Sequence, residues 1–170
     1  SKLSQAESEE ATMLLKVIGD YERISDHAVN ILESAEELRD KKLSLSEEAL
    51  KEYKTLAKAI DEILTLSETA FVRADTQMAA NVEPLEQVVD YMKDRFRTNH
   101  ILRMQKKQCS VEVGFVWSDL LTNLERVSDH CSNIAGCVID NAEHNLNLHE
   151  TLKKARDDSE QYQMAYEGYM

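Results

Sequence analysis

Apolar residues at Leu14, Val17, Ile18, Tyr21, Ile24, Ala28, Ile31, Ala35 and Leu38 recur at steps of three and four, the spacing that lines one face of an α-helix. They predict a first helix from about residue 5 to about residue 40, roughly 50 Å long at 1.5 Å per residue. The segment DKKLSLSEE interrupts the period, and Ser46, ahead of Glu48 and Ala49, carries the short oxygen-bearing side chain that caps a helix start. Tyr53, Leu56, Ile60, Ile63, Ala70 and Ala74 then mark a second helix. At RADTQ the period resets, with Asp75 or Thr76 as the cap for a stripe of Met78, Val82, Leu85, Val89, Met92 and Phe96. Pro84 in that stripe marks either a kink just before Glu86 or the true start of the helix. A last long helix carries Val113, Val116, Leu120, Leu124, Val127, Cys131, Ile134 and Val138, and the tail after Asn145 keeps a weaker, more polar period.

Short links between the later helices make them antiparallel neighbours, so residues from about 46 to 140 are expected to form a three-helix bundle. With 4 Gly and 1 Pro in 170 residues the chain has too few turn formers for a sheet protein, and the expected fold class is all-α. The first helix, lacking a bundle of its own, is expected to pack on the second bundle or to be shared in a homodimer. The chain starts at Ser1 rather than Met, as expected for part of a longer protein.

A formal charge of −12 repels phosphate backbones and argues against a nucleic-acid partner. Cys109, Cys131 and Cys137 lack C-x-x-C spacing and read as buried thiols of a reducing compartment. No apolar run has the length of a membrane helix and no secretory leader precedes residue 10, so the chain is cytoplasmic in character. Gly-rich phosphate loops, G-x-S-x-G, H-E-x-x-H and Glu-x-x-His are all missing, so neither an enzyme nor an organic cofactor is expected. A carboxylate-bridged metal oxidase remains the enzymatic alternative.

The most informative feature is a repeat: ERISDHAVNI at Glu22 to Ile31 returns as ERVSDHCSNI at Glu125 to Ile134, an offset of 103 residues with seven of ten positions identical. Residues four apart share a helix face, so Glu22 with Asp26, and Glu125 with Asp129, set two carboxylates side by side. The third helix repeats the spacing in Glu86, Asp90 and Asp94. Such pairs repel, and they call for an Arg, a shared proton or a metal ion if they converge. Two readings stay open from spacing alone: solvated acidic faces without a ligand, or oxygen-rich ligation of iron, manganese, magnesium or zinc by Glu86, Asp90, Glu125 and Asp129. His27 and His130, a quarter-turn away, suit a hydrogen bond between helices or, alternatively, ligation, whereas His144 and His149 read as tail residues.

The paired motifs, each late in a bundle and about a hundred residues apart, resemble the signature of the PhoU family. The resemblance implies tandem three-helix bundles: residues 1–42 would be the last helix of a first bundle, 43–145 a complete second bundle, and 146–170 a polar helical tail. It further implies metal ligation by Glu22 and Asp26 in the first bundle and by Glu86, Asp90, Glu125 and Asp129 in the second, and a regulatory, non-enzymatic role in phosphate uptake. Ser25 and Ser128, standing where free-standing members carry Gly, and the tail NLHETLKKARDDSEQYQMAYEGYM are similar to the cytoplasmic C-terminal domain of bacterial sodium/phosphate cotransporters. That similarity implies a transporter membrane domain as partner and a position at the inner face of the membrane. A free-standing regulator bridging a transporter and a sensor kinase is the alternative.

Overall fold

The computed structural model describes residues 4–168. Five helices follow one another: α1 (Gln5–Asp40), α2 (Glu47–Arg73), α3 (Thr76–Ala80), α4 (Val82–Gln105) and α5 (Val111–Gly168), with no strand among the described residues. The ends follow local chemistry. Ser46 Oγ accepts from the Ala49 amide at 3.1 Å and Asp75 Oδ1 from the Met78 amide at 3.0 Å, each satisfying an N–H that the first turn leaves without a partner. Pro84 resolves as a helix start that is also a break. It is the third residue of α4, where its missing N–H costs no hydrogen bond, and α3 ends four residues earlier at Ala80, whose carbonyl the proline ring would strike.

Helices α2, α4 and α5 form the bundle, with α3 bridging its end. Leu56, Ile63, Val89, Trp117, Leu121 and Cys131 are almost wholly excluded from water at its centre. Only Cys131 of the three cysteines is fully buried; Cys109 and Cys137 are half-buried, because the first lies in the link before α5 and the second on the α5 face turned toward α1. The described part of the tail, through Gly168, is helical, a continuation of α5, with Leu146 and Leu152 exposed.

The long first helix has its partner in the same chain. It runs antiparallel to α5: Lys41 at its end meets Glu112 at 3.1 Å, and Glu9 near its start meets His144. Val17, Ile24, Ile31 and Leu38 alternate with Asp20, His27 and Ser34 along the seam, a seven-residue repeat with apolar and polar rows. The expected apolar face of α1 is therefore only partly used. Leu14 and Ile18 are 41% and 53% exposed, and Leu32 also faces solvent, because α1 is covered from one side only, by α5 with Phe71 of α2 against Tyr21. His144, expected as a tail residue, also makes a contact of this antiparallel pair.

Candidate functional site

The seam between α1 and α5 is built on the repeat. His27 Nδ1 donates to Asn123 Oδ1 at 2.9 Å and Asn30 Nδ2 to the same oxygen at 3.3 Å. Across the seam, His130 Nδ1 lies 3.0 Å from Asp20 Oδ1, which also accepts from Asn133 Nδ2 at 3.4 Å. The two sets correspond at the 103-residue offset, His27 to His130, Asn30 to Asn133 and Asp20 to Asn123. The imidazoles stack at the centre, 5.6 Å between centroids and 22° from parallel. One side chain breaks the symmetry: Asp20, 6% exposed, is an acid where its counterpart Asn123 is an amide. Both histidines thus serve as hydrogen bonds between helices, the first of the two roles open to them. Asp20 and Asn123 escaped the sequence reading, although carrying the repeat two residues further toward the N-terminus reaches both.

The acidic residues of α4 and α5 meet at a second place. Glu86 lies against Asp129, near enough for a hydrogen bond once protonated, and burial together with Asp129 and Asp90 holds its carboxyl above the ordinary range. One turn on, the Lys93 ammonium stands between Glu125 Oε1 at 2.9 Å and Asp90 Oδ1 at 3.0 Å, with Asp94 Oδ1 at 3.4 Å. Burial pushes Lys93 down, but its hydrogen bonds to Glu125 and Asp90 outweigh this and hold it above the ordinary lysine range. Glu86 is therefore set against Asp129, and Asp90 is joined to Glu125 through Lys93, so the two acidic faces are adjacent without all four carboxylates meeting at one point, and the group contains a cation that spacing alone does not reveal. Glu22 and Asp26 stay exposed on α1, apart from this group.

Carboxylate oxygens would suit iron, manganese or magnesium. With the ammonium among them these four do not fit a metal ion: Asp90 and Glu125 are engaged by Lys93, and among the described residues no three His, Cys, Asp or Glu side chains converge on one point. Burial of Glu86 beside Asp129 and Asp90 has a measurable consequence. A carboxyl raised in the folded state costs stability at neutral pH, and that cost is relieved as pH falls through its folded value toward the unfolded one. Glu86→Gln should accordingly be more stable than wild type at pH 7, by a few tenths of a kcal/mol as for other like-charge neighbours. The advantage should shrink on acidification and be absent near pH ~4, which urea denaturation across that range measures.

A helical protein built around a duplicated acidic motif, with the two motif helices packed about a pseudo-twofold axis, is the class defined by this fold and site. The model of the PhoU domain matches residues 1–35 and 53–138, and the chain belongs to the PhoU family. It is 31% identical over 147 residues to the phosphate-specific transport system accessory protein PhoU homolog 1 of Thermotoga maritima, covering 86% of this chain and 62% of that protein. A PhoU homolog of the same description from Deinococcus radiodurans is 25% identical over 126 residues, covering 72% of this chain and 56% of that protein. The crystal structure of PhoU from Pseudomonas aeruginosa superposes with a TM-score of 0.79 at 22% identity, over 85% of this chain and 68% of the other. The chain thus spans less than two thirds of the length of its curated relatives. No helix among the described residues is long and apolar enough to cross a membrane.

Proposed function

We propose that this chain is a regulatory domain controlling phosphate uptake through contact with a phosphate transporter at the inner face of the membrane. Family membership over most of the chain is the observation that carries this reading, and the names of the curated relatives, accessory proteins of phosphate-specific transport, support it. Those names favour a separate accessory protein; Ser25, Ser128 and the polar tail favour a domain joined to a sodium/phosphate cotransporter. In either setting α1 acts as the last helix of a first bundle. Leu14, Ile18 and Leu32, all exposed, stand at the offset of Trp117, Leu121 and Ala135, which α2 and α4 help to bury in the second bundle. A helix pair like α2 and α4 would cover them in the same way.

Affinity purification of the tagged protein from detergent-solubilised membranes tests the reading. A phosphate transporter should co-purify, as a separate polypeptide if the protein is an accessory and as part of the same polypeptide if it is a cotransporter domain. Recovery with no phosphate transporter in either form would count against the proposal.

A further inference from the structure

The acidic group shared by α4 and α5 carries its own positive charge, and this bears on what can bind there. An ammonium has three N–H donors, and Lys93 has three carboxylates within ion-pair distance, Glu125 at 2.9 Å, Asp90 at 3.0 Å and Asp94 at 3.4 Å. Its side chain is 12% exposed, while Asp90 and Asp94 are 49% and 70% exposed, so the nitrogen sits on the inner side of the group and the acids face outward around it.

We propose that Lys93 is the resident counter-cation of this group, standing where a metal ion would otherwise draw Asp90 and Glu125 together. A divalent ion bound by these carboxylates needs oxygens at about 2.0–2.2 Å and cannot share them with an ammonium in the same place. Entry of a metal would require Lys93 to leave a pocket in which its charge is already paired, and the like charges of metal and lysine would oppose each other across a few ångströms. Lys93 therefore sets the metal affinity of the group and keeps it low in the wild-type chain. The signal was present in the sequence, since Lys93 follows Asp90 by three positions on one helix face, but its reach to Glu125 depends on the packing of α4 against α5.

Isothermal titration of the full chain with Mn2+ tests this, comparing wild type with Lys93→Gln and with the double variant Lys93→Gln/Glu125→Gln. Lys93→Gln should bind Mn2+ at least about tenfold more tightly than wild type, because it exchanges an opposing charge for none. The double variant should lose most of that gain. Stoichiometric Mn2+ binding by wild type with an affinity unchanged in Lys93→Gln would overturn the proposal, as would a folded Lys93→Gln that gains nothing. Lysine acylation of the wild-type protein, read by mass spectrometry, gives an answer that does not depend on the variants folding. Lys93 should label far more slowly than exposed Lys58 and stay protected in Mn2+; release of Lys93 by Mn2+ would contradict its role as the resident cation.

Discussion

Glu52→Ala should destabilise the protein by about 3–5 kcal/mol, the cost of leaving one partner of a buried ion pair alone. Arg103 on α4 and Glu52 on α2 meet at 2.8 Å with side chains only 7% and 11% exposed, and Asn99 Nδ2 donates to the second carboxylate oxygen at 2.7 Å. Without Glu52 the guanidinium keeps only Glu48, at 3.9 Å and 77% exposed, too distant and too wet to compensate. His100 adds to the cost. Burial and the Arg103 charge hold its imidazole below the ordinary range, with Glu52 opposing them. A histidine kept neutral in the fold withdraws stability as pH falls through its unfolded value near ~6.5, so the deficit of Glu52→Ala should widen in mild acid. The paired replacement Glu52→Leu with Arg103→Met should recover most of the loss, since it removes both charges together. Urea denaturation followed by far-ultraviolet circular dichroism measures all three at pH 7 and below 6.

A loss of about 3–5 kcal/mol is expected for Trp117→Ala as well, by a different route. The indole is 1% exposed at the centre of the bundle, and truncating it leaves a cavity that the surrounding helices cannot close without moving. Trp117→Phe should cost much less. Among the described residues the buried Trp117 Nε1 has no protein acceptor, so the ring stabilises the fold through packing. Equal losses for Ala and Phe would contradict packing as the source of the stabilisation.

The reach of sequence reasoning follows the range of the forces involved. Ser46 and Asp75 were legible as caps because a cap is a contact three residues long, and Pro84 was legible because its effect on the Ala80 carbonyl is fixed by covalent geometry. That the Glu86 and Asp90 face of α4 lies beside the Glu125 and Asp129 face of α5 was legible, because helical period and bundle topology leave those faces adjacent; that the four carboxylates do not meet at one point was not. Lys93 was not, since a flexible four-carbon side chain can point to solvent or inward and only the packed neighbour decides. The exposure of Leu14 and Ile18 was equally hidden: periodicity reveals that a face is apolar but not how many helices cover it. Asp20, a buried acidic residue on a seam otherwise read from its apolar residues, is visible only when the repeat is aligned through Asn123.

The helix pair that unites the two motifs links this architecture to the proposed control of uptake. If α1 belongs to a first bundle, the His27–His130 stack is where the two bundles meet. The most direct test is the initial rate of radiolabelled phosphate uptake, measured across external phosphate concentrations in cells of the source organism with the gene intact, deleted and restored. Control by this protein predicts that deletion changes how uptake responds to external phosphate and that the restored gene returns the original response. Superimposable uptake curves in all three strains, with transporter levels equal, would contradict it.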